Sequence, residues 1–314
     1  MIYLEMYGRL GNQFFRYAVA RALQLQYYPT EQIMINFSQI NELHKKDPSF
    51  YNVLNDYQIK DYAIYEKQGS VLFKETGLFQ KIICAMYYSR LRKFQSTDLL
   101  GMVKLEEKWR ERLDRWGVYW YRYGCWDLGK STQRDKFVSG CFEDPAYFNN
   151  YRDVLLKELT PKHERLSKNA TLYKIIESTQ SICVSVRRGD FENNSSIKSL
   201  HSVCNQDYFM KAISEIKKRI KSPVFVLFSD DIEWAKENIQ TGTSTYYEDG
   251  TDPVWEKLRM MSLCKHFIIS NSTFSWWSQY LSTNPDKIVV SPSRWFNNDY
   301  KSHLIEDSFI KVNV

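Results

Sequence analysis

The chain has 314 residues, and its 43 basic against 37 acidic side chains leave a formal net charge of +6. Hydrophobic residues at 43% and charged residues at 25% are ordinary globular usage, so disorder is excluded, and the length favours two domains of roughly 150 residues each. No stretch approaches the ~20 apolar residues of a membrane span, and six cysteines without a CxxC pair argue against a disulfide scaffold and a zinc site.

In chain order, residues 2–7 alternate apolar and polar until Gly8-Arg9-Leu10-Gly11-Asn12-Gln13 interrupts. Phe14, Phe15, Ala18, Ala22 and Leu25 then follow at helical spacing, giving strand, glycine-containing turn and amphipathic helix, the opening of a βα unit. Glu5 and Arg9 break up any signal-peptide core. Residues 33–37 predict a second strand. The Tyr- and Trp-rich stretch 40–135 has no repeat and only weak helical signals. Residues 137–141 predict a short strand, and Asp144-Pro145 starts a predicted helix to about Leu159, ended by Pro161.

The second half is more regular. Apolar runs at 182–186, 224–229, 267–270 and 288–291 are too continuous for half-exposed strands and predict strands buried on both faces. Helical patterns at 207–220, 232–239, 254–264 and 273–281 fill the gaps, which predicts parallel sheets of the doubly wound α/β class. The expected organisation is two Rossmann-like domains facing each other across a cleft, 1–165 and 166–292, with a tail 293–314 packing back on the first.

Ligands of such sheets bind beyond the carboxyl ends of the strands. Arg187-Arg188-Gly189-Asp190, Ser229-Asp230-Asp231 and Ser270-Asn271-Ser272-Thr273 all fall at such ends, as does the segment from Gly8 to Gln13. Each has a plain alternative. The arginine pair either grips phosphate or carboxylate with planar forks or is a solvated turn. The Ser-Asn-Ser-Thr run either caps a helix or lets its N–H groups and hydroxyls take a phosphate. Asp230 and Asp231 either cap a helix or accept the N1 and N2 protons of a guanine. Trp276 and Trp277 after Phe274 read as packing.

Residues 74–93 combine Lys74, Lys81, Arg90, Arg92 and Lys93 with Phe79, Tyr87 and Tyr88. Such a helix either covers the core, lines an acceptor groove or lies on an anionic membrane surface. The scattered histidines and the absence of Asp-x-Asp speak against a metal. A pI near 8.8 with dispersed charge speaks against nucleic acid.

Together these segments resemble the bacterial α-1,2-fucosyltransferases of glycosyltransferase family 11. GRLGNQFFRYAVARAL is similar to the family's opening GNQ signature and VSVRRGDF to its HxRRGDY motif. FSDDIEWAKEN is similar to its SDD strand end, and SNSTFSWWSQYL to its SNSTFSWW segment. The match runs in order from residue 1 to about 296, leaving only about 40–135 without a motif. The resemblance implies a GT-B type fold, GDP-β-L-fucose as donor, and inverting transfer to the 2-hydroxyl of a β-galactoside glycan, without a metal or other cofactor. The sparse cysteines, the missing apolar span and the interrupted N-terminus separately lead to the expectation of a cytoplasmic protein, and the stretch 74–93 allows at most peripheral membrane contact.

By the same resemblance Arg187 binds the β-phosphate and the leaving oxygen, while Arg188 supports the loop. Asp230 or Asp231 accepts from guanine, and Asn271, Ser272, Thr273 and Phe274 form the phosphate-side segment. Arg9, Gly11 and Asn12 approach the pyrophosphate from the other domain. Ser185 departs from the family's pattern, standing where His is usual; its hydroxyl can hydrogen-bond to the nucleotide but cannot stack on it. Asp190 is the carboxylate best placed in sequence to take the acceptor proton, unless it only fixes the turn; Glu5 and Asp144 are weaker candidates, and the departing phosphate could take the proton itself. A catalytically silent glycan- or nucleotide-binding module is the reading from another class. Acceptor choice is expected to lie in 40–135.

Overall fold

A computed structural model describes residues 1–189 and 195–314. The chain divides into two compact units, Met1–Thr160 and Pro161–Val314. Among the described residues no helix is long and apolar enough to cross a membrane.

The first unit is a five-stranded parallel sheet. Its strands are β1 (Ile2–Glu5), β2 (Ile33–Asn36), β3 (Tyr62–Ile64), β4 (Val118–Tyr121) and β5 (Lys136–Gly140), in spatial order β3-β2-β1-β5-β4. β1 runs between β2 and β5 with Leu4 opposite both Ile35 and Val138. These three side chains are fully buried, as a strand with parallel neighbours on both sides requires. The helix Leu10–Tyr27 carries the chain from β1 to β2 and buries Phe14, Phe15 and Ala18. The region 40–135 holds two of the five strands and the helices Leu78–Leu91 and Leu99–Arg115. The helix expected from Asp144 to Leu159 begins instead as two short 3₁₀ turns, Pro145–Tyr147 and Asn149–Tyr151, and only Arg152–Glu158 is α-helical. Asp144 is the cap of the first turn, with Oδ1 accepting from Ala146 N at 2.7 Å.

The second unit is a six-stranded parallel sheet of β6 (Gln180–Val186), β7 (Pro223–Ser229), β8 (Thr245–Tyr247), β9 (His266–Ile268), β10 (Val289–Pro292) and β11 (Ile310–Val312), ordered β11-β10-β9-β6-β7-β8. The predicted strands appear within a few residues of their expected bounds. β8 and β11 have no counterpart in the sequence reading, because three residues at a sheet edge carry too little apolar pattern. The segment 293–314, set apart there as a tail, supplies β11, which pairs with β10 through Val290 and Ile310. The helix Gln206–Lys217 buries Tyr208, Phe209, Ala212, Ile213 and Ile216 and packs on β9, β10 and β11; all of these but Tyr208 lie on the face its spacing predicts.

The carboxyl end of β5 has no steric slack. Gly140 ends β5 with φ +156°, and a Cβ there would lie 1.7 Å from the Tyr121 carbonyl oxygen. Gly140→Ala must therefore push β4 and β5 apart at their carboxyl ends. A loss of about 3 kcal/mol in urea unfolding is expected; a loss within experimental error would show that this strand end yields freely.

Candidate active site

The chemistry of the second unit is assembled by strand register. β6 and β7 pair in parallel with Val186 opposite Ser229, so the next residues, Arg187 and Asp230, leave the sheet side by side. Asp230 Oδ2 lies 2.7 Å from Arg187 Nη1, and Asp230 Oδ1 accepts from the Arg188 N–H at 2.9 Å. One carboxylate thus holds both the guanidinium and the backbone of the arginine loop. Gly189 completes the clasp, since a Cβ there would meet Asp230 Oδ2 at 2.6 Å. Arg187 and Asp230 are each about a quarter exposed, so the ion pair is reachable by a ligand.

Arg188 turns the other way. Its guanidinium carbon lies 3.9 Å from the centre of the Trp234 ring, and Nε is 3.6 Å from Asp231 Oδ2. Asp231 is the N-cap of the helix Ile232–Asn238, accepting from Trp234 N at 3.2 Å, while its own N–H donates to Ser229 Oγ at 2.9 Å. The two aspartates therefore divide the labour left open in the sequence: Asp231 caps, Asp230 orients arginine. Asp190 lies outside the described residues.

β9 neighbours β6 on its other side, which brings the Ser-Asn-Ser-Thr segment to the same end of the sheet. Asn271 is buried, donating through Nδ2 to the carbonyls of His201 at 2.8 Å and Trp295 at 2.9 Å, so its amide braces the loop. Ser272 precedes the helix Thr273–Tyr280 as its N-cap residue without lending a side-chain cap. Ser272, Thr273 and Phe274 are partly exposed, whereas Trp276 and Trp277 are fully buried packing residues. Ser185 is buried, and its hydroxyl pairs with Ser275 Oγ at 2.6 Å, which in turn pairs with Ser270 Oγ at 2.9 Å. This hydroxyl chain ties β6, the end of β9 and the helix together. Ser275 was not singled out in the sequence because a serine inside a helix carries no distinctive signal.

In the first unit, Gly8 has φ +80°, and a Cβ there would come within 2.7 Å of Asn12 Cβ, so the turn after β1 needs glycine. Gln13 fastens that turn: Nε2 donates to the carbonyls of Gly8 at 3.0 Å and Tyr51 at 2.8 Å, and Oε1 accepts from Val53 N at 3.2 Å. Arg9 is the N-cap residue of the helix Leu10–Tyr27 and gives it no side-chain cap. Its guanidinium reaches Asp47 Oδ2 and Ser49 Oγ, each at 3.1 Å, and faces the Phe50 ring. Gly11 and Asn12 occupy the first turn of that helix, where the aligned backbone favours an anion.

Two further charged groups lie at this sheet's carboxyl end. Arg16 is fully buried; Nη1 donates to the carbonyls of Tyr7 at 3.1 Å and Asn12 at 2.9 Å, while Nε and Nη2 have no hydrogen-bond partner. Glu143 follows Phe142, a non-glycine residue with φ +55°. Burial pushes the Glu143 carboxyl up to about 7, and the nearby Arg16 charge opposes the rise. Close by, Glu106 is buried and accepts from the N–H groups of Arg122 at 2.7 Å and Gly124 at 2.8 Å, fixing the loop after β4. The available signal for Arg16 was a charge inside the apolar helical run Phe14–Ala22; Glu143 had none. Glu5 is committed elsewhere, accepting from Asn36 Nδ2, Ser70 Oγ and Val71 N.

For a cation, Glu248, Asp249 and Asp252 form a close carboxylate group after β8. Lys168 already lies 2.8 Å from Asp252 and Lys257 3.3 Å from Glu248, so lysines provide the positive charge there.

The chain is 28% identical to the O-antigen biosynthesis glycosyltransferase WbnK of Escherichia coli over 99% of its own length and 100% of that protein's. It is 32% identical to an Escherichia coli α-1,2-colitosyltransferase, over 51% of this chain and 56% of that one. With human galactoside α-(1,2)-fucosyltransferase 1 it shares 34% identity over 48% of its length and 44% of that protein's. The crystal structure of NodZ α-1,6-fucosyltransferase soaked with GDP-fucose superposes with a TM-score of 0.51 at 12% identity, covering 91% of this chain and 96% of that one, a likeness of GT-B type fold. The sequence profile described as glycosyl transferase family 11 matches residues 1–313, and the chain belongs to that family of glycosyltransferases.

Proposed function

We propose that the chain is an inverting α-1,2-fucosyltransferase, moving L-fucose from GDP-β-L-fucose to the 2-hydroxyl of a terminal β-galactoside in an oligosaccharide or polysaccharide precursor, in the cytoplasm and without a metal. The relatives that act with α-1,2 linkage support the bond formed. The single observation that carries the donor assignment is the Arg187–Asp230 clasp, a partly exposed guanidinium held at the end of β6, at the same end of the sheet as the start of the helix Thr273–Tyr280.

In the reaction the acceptor oxygen attacks the anomeric carbon while the bond from that carbon to the β-phosphate oxygen breaks. The electron pair leaves with GDP, and the hydroxyl proton passes to a base. Charge grows on the β-phosphate, where fixed donors matter most, each worth on the order of 3 kcal/mol of barrier. Arg187 supplies a planar fork there, and the first-turn N–H groups after Ser272 supply the helix-end dipole. Arg188, stacked on Trp234, keeps the loop in place. Arg9, Gly11 and Asn12 give the first unit its own anion-favouring helix start. Glu143 has a proton affinity that suits a base near neutral pH, whereas Asp190 is the sequence's candidate by placement.

A second donor reading has its own support, since one relative is a colitosyltransferase. Incubation with a panel of GDP-deoxyhexoses and lactose, followed by linkage analysis, is expected to give GDP release and an α-1,2 product with GDP-fucose. Turnover only with another GDP-deoxyhexose assigns that donor instead, and no turnover with any of them favours a silent binding module.

Arg187→Lys is expected to lower kcat by about 10²–10³-fold, because an ammonium cannot replace the two-pronged contact. Near-normal turnover by that variant removes Arg187 from the role. The wild-type rate is expected to rise as pH climbs through about 7, since a base works only after losing its proton. Glu143→Gln should lose activity together with that ascending limb, while Asp190→Asn keeps the limb; the opposite pattern assigns the base to Asp190.

A further inference from the structure

The helix Leu78–Leu91 has two apolar faces. Gln80, Cys84, Tyr87 and Leu91 are buried against the first unit. At about 100° per residue, Leu78, Phe79, Ile82 and Met86 share the opposite arc. Their exposures are 72%, 63%, 45% and 40%, against the near-zero values of the inner face. An outer stripe of this kind has no role in the sheet beneath it, and large contiguous apolar surface on a water-facing helix marks a binding surface.

The stripe is held rigidly. The Phe79 ring stacks on Trp116 with centroids 5.6 Å apart, and Tyr88 stacks on Trp120 at 5.9 Å. Phe73, 46% exposed, meets Tyr88 edge-on at 6.3 Å and extends the patch. The aromatic groups therefore cannot fold back to hide themselves.

Charge names the partner. From residue 76 to residue 97 there is no Asp or Glu, while Lys81, Arg90, Arg92 and Lys93 are all basic. Arg90 curls back over the Trp109 ring at 4.9 Å, leaving Arg92 and Lys93 as exposed cations at the end of the stripe. Apolar side chains flanked by such cations match the layering of an anionic bilayer surface, with acyl carbon beneath and phosphate above. A second copy of the same face brings like charge against like charge. We propose that the outer face of the helix Leu78–Leu91 docks the protein on an anionic lipid bilayer, with Phe79 and Ile82 entering the headgroup boundary and Arg92 and Lys93 meeting lipid phosphates.

The proposal is independent of the donor assignment and is tested with the full chain. Co-sedimentation with vesicles of phosphatidylcholine alone, or mixed with phosphatidylglycerol, is expected to show binding only to the anionic mixture and release by salt. The double substitution Phe79→Ser with Ile82→Ser should weaken binding by about tenfold or more while GDP release with a soluble acceptor stays unchanged. If that variant misfolds, Arg92→Glu with Lys93→Glu serves instead, with the same loss expected. Wild type that stays in solution with both vesicle types overturns the proposal, as does undiminished binding by a folded variant. Sedimentation as a dimer that the Ser substitutions dissociate assigns the face to a second copy and also overturns it.

Discussion

The parallel pairing of β6 with β7 is the constraint on which the proposed donor-side chemistry rests. Arg187 and Asp230 come from segments far apart in sequence, yet they emerge from neighbouring strands in the same register and meet at 2.7 Å. A free guanidinium has many rotamers, and ordering one costs on the order of 1–2 kcal/mol of side-chain entropy. Here the cost falls on folding, because Asp230 orders Arg187 before any anion arrives. Asp230 also takes the Arg188 N–H, so loop and side chain are set by the same carboxylate. Preset donors of this kind need little reorganisation as charge develops, which is why an ion pair at a strand end suits the phosphate chemistry proposed for it.

The first unit solves a different problem, that of keeping charge under cover. Glu106 is buried, yet its oxygens receive the backbone N–H groups of the loop after β4. Burial raises its proton affinity and these donors counter the rise. Arg16 is the contrasting case, with two of its nitrogens lacking any acceptor while the carbonyls of Tyr7 and Asn12 hold the third. Leaving donors of a buried cation unmatched is costly, and such sites tend to mark function. Arg16 and Glu143 share that neighbourhood, next to a strained Phe142.

The sequence revealed the second unit more clearly than the first. Four apolar runs between helices were enough to read a parallel sheet, because strands buried on both faces cannot hide their composition. In 40–135 the short strand Tyr62–Ile64 is only partly buried, and the helix Leu78–Leu91 is apolar on both sides, so neither shows clear periodicity. The helix read from Asp144 onward broke into 3₁₀ turns, which share its capping and proline signals. At the site, Arg187, Asp230 and Ser272 were legible from their positions after strands. What each one touches was not. That Asp231 caps while Asp230 clasps depends on loop geometry, and that Ser185 turns inward to Ser275 depends on packing. Gln13 passed unremarked inside its motif, although three hydrogen bonds make it the fastening of the first turn.

The alignment of Val186 with Ser229 carries an evolutionary consequence. Deleting one residue from the middle of either strand slides one member of the clasp by about 3.3 Å and points it to the opposite face of the sheet. The helices Ser195–His201 and Gln206–Lys217 between the two strands carry no such restriction, since lengthening a connection costs little. Descendants of this chain are thus free to change the distance between their two motifs along the polypeptide, but they must inherit both strand lengths together or lose the pair.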